Sequence, residues 1–132
     1  MDTLVMNDPI ALASNRSVLI VDDEDHITEV IGTVLEDWGY RTDCLNDVAH
    51  AIEFLKTKPY DILICDLHMP GIGGRELMEW TRLNAKSVQI LLLSGDPAFK
   101  DSAEFMKAYG AHFLSKPFTV SELIKAVQGL AA

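Results

Sequence analysis

The chain has 132 residues, a length suited to one domain, and its acidic side chains outnumber the basic ones by 20 to 11, giving a net charge of −9. This acidic balance, without any basic run, argues against direct binding to nucleic acid. No apolar run approaches the roughly 18 residues of a membrane span, and the first residues carry acids where a secretory signal carries positive charge. We therefore expect a cytoplasmic protein that does not contact membranes.

Residues 1–16 show no clear period, so we expect a short N-terminal arm followed by one domain over residues 17–132. Within that domain, apolar runs of strand length alternate with segments of helical period, which is typical of a parallel sheet with crossover helices. The predicted strands are Ser17–Val21, Tyr40–Leu45, Asp61–Cys65, Val88–Leu93 and His112–Leu114.

The first two predicted helices each carry one apolar face. Gly39 is placed to end the first helix, and Pro59 stops the second. The apolar face of the first is formed by Ile27, Val30, Ile31, Val34, Leu35 and Trp38, and that of the second by Val48, Ala51, Ile52 and Leu55.

Three further helices are predicted at Gly74–Asn84, Lys100–Tyr109 and Thr119–Gln128. The last one opens with Thr119 and Glu122 at the spacing of a capping box. Five strands alternating with five helices predict a (βα)5 fold of the α/β class. The inward face of the last helix is predicted to be Val120, Leu123, Ile124 and Val127.

The two cysteines, Cys44 and Cys65, both lie in apolar, strand-like runs. In such runs a small buried hydrophobic residue is the favoured interpretation, ahead of a disulfide or a metal ligand. We therefore assign neither cysteine a chemical role.

Polar residues follow four of the predicted strands. Because ligands collect at the carboxyl ends of the strands in an open parallel sheet, we expect these side chains in one crevice. They are Asp22, Asp23, Glu24 and Asp25 after the first strand, Asp66 after the third, Ser94 after the fourth and Lys116 after the fifth.

The consecutive acids after the first strand have two interpretations. One acid, with Asp25 the best placed, is expected to cap the N-terminus of the following helix. Capping leaves Asp22 and Asp23 facing a crevice that also holds Asp66, where like charges repel. A hard divalent cation relieves this repulsion, and Mg²⁺, bound by one or two carboxylates and several waters, fits the ligand set best.

Asp66 follows the buried run ILIC and precedes residues that turn the chain, so its carboxylate is a candidate nucleophile as well as an ordinary loop acid. Lys116, stiffened by Pro117, can reach Asp66 as a counter-ion, although a surface lysine is the commoner case. Ser94, otherwise a turn residue, would supply a hydroxyl. Together with a metal, these groups can accept a phosphoryl group.

The chain resembles the receiver domain of two-component response regulators, of the CheY type, over about residues 17–130. The resemblance rests on VDDED after strand one, DLHMPGIGG around Asp66, Ser94-Gly95 and Lys116-Pro117-Phe118, in order at the strand ends. It implies a doubly wound parallel sheet with strand order 2-1-3-4-5. It also implies a signalling phosphoprotein that catalyses only its own phosphorylation and dephosphorylation.

The resemblance implies that Asp66 is the phosphoacceptor. The donor would be a phosphohistidine on a sensor histidine kinase or a histidine phosphotransfer protein. Asp23 would bind Mg²⁺ directly and Asp22 mainly through water. Asp66 and the backbone carbonyl of His68 would complete the protein ligands.

Three further residues receive roles from the resemblance. Lys116, joined to Pro117 by a cis peptide bond, would pair with the phosphoryl group, and Ser94 would donate a hydrogen bond to it. Phe113 would be the switch aromatic. It lacks the hydroxyl of the tyrosine often found there, and the turn Gly110–Phe113 is one residue shorter than is common.

His68 and Asp96 occupy positions where side chains in this family tune dephosphorylation. A solvated His68 at the rim of the site is favoured over a metal-binding imidazole. The surface able to sense Ser94 and Phe113 is that of helix four, strand five and helix five. We expect this surface to support phosphorylation-dependent self-association or binding of a downstream protein.

Helix four is predicted to carry two stripes. The second stripe is either partly exposed for a partner or an extension of the core contact. The core stripe is Phe99, Ala103 and Met106, and the second is Ser102, Phe105 and Tyr109.

Other functions remain open at this point. A flavodoxin-like FMN carrier shares the fold class but needs N–H and hydroxyl donors after strand one, where VDDED supplies carboxylates. A Mg²⁺-dependent aspartyl phosphatase needs an acid two residues after the nucleophile, where His68 stands, and the intact site argues against a purely structural module. The protein is expected to be a free-standing regulator, a phosphate shuttle, or a receiver cut from a larger hybrid kinase or regulator.

Overall fold

The computed structural model describes residues 16–69, 73–95 and 107–131. Its strands are β1 (Ser17–Val21), β2 (Arg41–Leu45), β3 (Ile62–Asp66), β4 (Gln89–Ser94) and β5 (Ala111–Ser115). They form one five-stranded parallel sheet in the order β2-β1-β3-β4-β5, which confirms the predicted order. Each strand begins and ends within one residue of its prediction.

The helices are α1 (Asp25–Asp37), α2 (Val48–Thr57), α3 (Gly74–Asn84) and α5 (Val120–Ala131). Residues 107–109 are also helical and are the described part of the predicted fourth helix, α4. Within the described ranges, no helix has the length and apolar composition that crossing a membrane requires. The arm through residue 15 lies outside the described residues, as do Asp96, Phe99, Ser102, Ala103, Phe105 and Met106.

Helices cover both faces of the sheet, and the alternation of side chains along the strands divides the core in two. In β1, Val18 and Ile20 pack with residues of α1 and α5, which we call the α1/α5 core. Leu19 and Val21 point to the opposite face and pack with residues of α2 and α3, the α2/α3 core. Burial of such an aliphatic side chain contributes about 1.5–3 kcal/mol, which holds the strand ends in place.

Among the described residues, two that were predicted to face inward are exposed. Val30 of α1 is 52% exposed, and Val120, the first residue of α5, is 55% exposed. The buried stripe of α1 includes the predicted Ile31 and Leu35 together with Thr28 and Gly32. Successive residues of a helix are about 100° apart, so Val30 points to solvent when Ile31 points to the core.

The prediction of two buried cysteines is wrong for Cys44 and correct for Cys65. Cys44 is exposed because β2 is an edge strand, with a neighbouring strand on one side only. Its Sγ donates a hydrogen bond to the backbone oxygen of Thr28, 3.3 Å away. Partial burial of the sulfur and the nearby acids, Glu36 first, raise the pKa of this thiol, which makes it a poor nucleophile.

Tyr109, from the second predicted stripe of helix four, is half-buried against the α2/α3 core. Its hydroxyl donates to Oε1 of Glu79 at 3.2 Å, and its backbone oxygen accepts a hydrogen bond from Nε of Arg82. Arg82 also donates to the backbone oxygen of Val88 at 3.1 Å. Tyr109 thus extends the core contact, and α3 holds the end of α4 and the turn into β5.

Candidate functional site

Asp22 is the residue that directly follows β1, and it is completely buried. Its backbone N–H donates to the oxygen of Leu45, and its Oδ1 accepts a hydrogen bond from the backbone N–H of Glu24 at 3.0 Å. Asp23 and Glu24 are exposed. The predicted cap at Asp25 is wrong: the N-cap of α1 is Glu24, without a side-chain capping bond, and Asp25 is the first helical residue.

Asp66 is the last residue of β3, opposite Leu93 of β4, and only 6% of it is exposed. Its Oδ1 accepts a hydrogen bond from the backbone N–H of His68 at 2.9 Å. The first residue of α3, Gly74, lies directly against this strand end. A Cβ on Gly74 would be 2.0 Å from the carbonyl oxygen of Asp66, so only glycine allows this close approach.

Lys116 follows β5 and connects the buried carboxylates. Its Nζ donates to Oδ2 of Asp22 at 2.7 Å and to Oδ2 of Asp66 at 2.8 Å. Burial lowers the pKa of Lys116, but the hydrogen bonds and charges of the two carboxylates outweigh burial, and the pKa is raised above its usual value. The ammonium is therefore charged at neutral pH, and the expected cis bond to Pro117 is present.

Four carboxylates lie together, and three of them, Asp22, Glu24 and Asp66, pair with this ammonium. Oxygen atoms of Asp22, Asp23, Glu24 and Asp66 are all within 4.8 Å of one another. This set of hard oxygen donors, with one lysine to balance it, fits the requirements of a divalent cation such as Mg²⁺. Three members were predicted as metal ligands, whereas Glu24 was not, because its position next to Asp22 and Asp23 does not show whether its side chain faces solvent or the site.

His68 is exposed, as a rim residue would be. It lines a cavity of about 450 Å³ together with residues from the start of α3, among them Arg75 and Glu76. Leu67, the residue that follows Asp66 in the chain, also lines this cavity, which opens to solvent.

The two predicted switch residues lie on neighbouring strands. Ser94 is the last residue of β4, is completely buried, and accepts a hydrogen bond at its backbone oxygen from the backbone N–H of Lys116 at 2.8 Å. Phe113, opposite Leu92 in β5, is half-buried and packs against the α2/α3 core. Ser94 thus stands one residue beyond Leu93, the partner of Asp66, and it is tied to the backbone of Lys116.

Comparison with known proteins identifies the family of this chain. The sequence matches the response regulator receiver domain family over residues 18–128. The chain belongs to this family. Receiver domains receive phosphoryl groups from histidine kinases and bind Mg²⁺ at an acidic pocket, and they signal rather than convert a metabolite. The strand order described above is the one that the resemblance implied.

Solved structures similar to this receiver domain include CheY4, a chemotaxis response regulator of Vibrio cholerae. It is 30% identical in sequence and has a TM-score of 0.79, and the match covers 87% of this receiver domain and 98% of CheY4. TrrA, a response regulator protein of Thermotoga maritima solved with Mg²⁺-BeF, is 29% identical with a TM-score of 0.77 and the same coverages of 87% and 98%.

A curated relative is the transcriptional regulatory protein TcrA of Mycobacterium tuberculosis. It is 27% identical over 118 residues, which cover 89% of this receiver domain and 47% of TcrA. The chain spans about half the length of several curated relatives that it matches.

Proposed function

We propose that this receiver domain accepts a phosphoryl group on Asp66 from a phosphohistidine of a sensor histidine kinase or a histidine phosphotransfer protein. The observation that carries the proposal is the ammonium of Lys116, which bonds both Asp66 and Asp22 inside a cluster of four carboxylates. This arrangement supports the proposal because the candidate nucleophile, a cation to balance it and the candidate metal ligands all lie in one chain.

The transfer needs no other nucleophile. An Asp66 oxygen attacks the phosphorus atom, an O–P bond forms as the P–N bond of the phosphohistidine breaks, and the departing imidazole takes a proton from solvent. Lys116, now bonded to the carboxylate, would turn toward the phosphoryl oxygens and balance their charge. The hydroxyl of Ser94 would hydrogen-bond one of those oxygens.

The same carboxylates would hold Mg²⁺. In this proposal Asp23 would bind the ion directly and Asp22 mainly through water, and Asp66 and the backbone carbonyl of His68 would complete the protein ligands. Mg²⁺, when bound, neutralises charge on the transferring phosphoryl group. The exposure of Asp23, beside the buried Asp22 and Asp66, supports the choice of Asp23 as the residue that meets a hydrated ion first.

The signal would leave through β5. A bond from Ser94 to the phosphoryl group would bias the end of β4, and Phe113 on the neighbouring strand would repack. The surface of α4, β5 and α5 would then bind a second copy or a downstream protein. Light scattering with and without beryllofluoride, a phosphoryl mimic, tests this step, and an unchanged mass in both states together with unchanged partner binding would contradict it.

The phosphoacceptor is tested with acetyl phosphate and Mg²⁺. We expect intact-mass spectrometry to show one added phosphoryl group on the wild type and none on Asp66→Asn. Asp37→Asn, which changes an exposed aspartate at the end of α1, is the matched control and should be modified like the wild type. Equal modification of Asp66→Asn and the wild type would remove Asp66 from this role.

A further inference from the structure

Lys116 has a third acidic neighbour, which differs from the other two in its exposure. Oε1 of Glu24 lies 3.8 Å from Nζ of Lys116. The side chain of Glu24 is 53% exposed, whereas those of Asp22 and Asp66 are 0% and 9% exposed. Lys116 is therefore held from the buried side by two short hydrogen bonds and from the solvent side by a longer ion pair.

A phosphoryl group can approach Asp66 only from the solvent side, because the protein core lies behind the buried carboxylates. Bound at Asp66, it would need the ammonium of Lys116, which Glu24 also attracts. A divalent cation experiences the opposite effect, because Glu24 adds a fourth negative charge within 4.8 Å of Asp22, Asp23 and Asp66. The Glu24 side chain would thus oppose the binding of the phosphoryl group and favour the binding of the cation.

We propose that Glu24 is a positioning residue for Lys116, an inference that rests on the proposed function of the site. Its carboxylate holds the ammonium in the resting state and competes for it with the incoming anionic group. The same carboxylate strengthens the binding of Mg²⁺. Glu24 therefore sets the balance between a metal-loaded resting site and a phosphorylated one.

The test compares Glu24→Gln with Asp25→Asn. Both variants remove one negative charge from the same exposed segment, but Asp25 accepts a hydrogen bond from Asn46 and is not one of the acids given as partners of Lys116. For Glu24→Gln we expect Mg²⁺ affinity, measured by calorimetry, to fall about two- to fivefold. Beryllofluoride affinity at saturating Mg²⁺, measured by NMR, should rise by a similar factor, since ion pairs with an exposed partner are weak. Asp25→Asn should change both affinities less.

A second measurement follows Lys116 itself. Without any ligand, the NMR signals of the Lys116 side-chain methylene next to Nζ should move in Glu24→Gln and stay in place in Asp25→Asn. Glu24→Asp, which keeps the charge on a shorter side chain, should restore part of both the signal position and the Mg²⁺ affinity. A purely structural role of Glu24 would not produce opposite changes in the two affinities.

Two results overturn the inference while leaving the proposed function in place. In one, the wild type binds Mg²⁺ and beryllofluoride, but Glu24→Gln binds both as the wild type does. In the other, Asp25→Asn matches Glu24→Gln in both titrations, which would mean that only the general charge of the segment matters. A wild type that binds neither Mg²⁺ nor beryllofluoride would overturn the proposed function, and the inference with it.

Discussion

Replacing Lys116 with methionine removes the ammonium that bonds Asp22 and Asp66 while keeping most of the apolar length of the side chain. Lys116 itself is only 17% exposed, and its two short bonds are 2.7 and 2.8 Å long. The variant leaves two buried carboxylates facing each other without their cation. We expect this change to destabilise the metal-free protein strongly, and the metal-loaded protein much less.

The size of the effect follows from the distances. Oxygen atoms of the two carboxylates lie within 4.8 Å, where two unit charges repel by about 3.5 kcal/mol at an effective dielectric of 20. Breaking a buried ion pair by removing one partner costs about 3–5 kcal/mol, and the partly open mouth of the site reduces that cost. We expect Lys116→Met to lower the free energy of unfolding by about 3 kcal/mol in EDTA.

Urea unfolding, followed by the fluorescence of Trp38 and Trp80 and by circular dichroism, measures this difference. With millimolar Mg²⁺ in place of EDTA, the cation should take over the role of the ammonium and recover at least about half of the loss by binding the folded form. Lys125→Met, at an exposed position of α5, is the control and should change stability little in either condition. A full loss that Mg²⁺ leaves unchanged, or no loss in EDTA, would refute the electrostatic explanation.

Three further predictions concern the surroundings of the site. Gly74→Ala places a Cβ 2.0 Å from the Asp66 carbonyl oxygen, so it should lower the free energy of unfolding by about 3 kcal/mol in chemical denaturation and reduce phosphorylation. Gly73→Ala, whose Cβ would meet the flexible Glu76 side chain at 3.2 Å, should be tolerated. Equal stability of the two variants would contradict this explanation. Ser94→Ala should still be phosphorylated, but beryllofluoride should then shift the NMR signals around Phe113 less; identical shifts would disprove the coupling. The side chain of Glu122 accepts a hydrogen bond from the backbone N–H of Thr119, and this bond lowers the pKa of Glu122. The contribution of Glu122 to folding stability is therefore fully present above the ordinary glutamate pKa of about 4.3. It is lost as the pH falls through the lower pKa of the folded state. Glu122→Gln should therefore be less stable than the wild type at pH 7 and equal to it in acid, and a difference that persists at low pH in thermal melts would count against this sign.

Much of the site was predictable because its residues stand directly after strands that their own composition defines. The run VLIV before Asp22 and the run ILIC before Asp66 are apolar at every position, as strands buried on both faces must be. In a parallel sheet, residues after such strands meet at one edge. The contacts of Lys116 with Asp22 and Asp66 are the outcome of that rule.

The local sequence predicted side-chain burial and backbone contacts less well where they depend on a neighbouring strand or helix. Cys44 lies in a predicted strand and was expected to be buried, yet it is exposed because the sheet ends at β2. Val30 matched the helical period, yet α1 is turned so that Ile31 and Leu35 are buried. The need for glycine at Gly74 arises from the carbonyl of Asp66, which is eight residues earlier in the chain and directly below the start of α3.

The sequence by itself determined the alternation of strands and helices and the chemical types at the strand ends, because the 2.0 and 3.6 residue periods and the carboxylates can be read locally. The tertiary structure decided which of those groups act together. Lys116 and Asp22 are 94 positions apart, and their 2.7 Å bond exists only because β5, β4, β3 and β1 end at one edge of the sheet. The reach of the exposed Glu24 to that same ammonium depends on distances in space, which no local period of the sequence encodes.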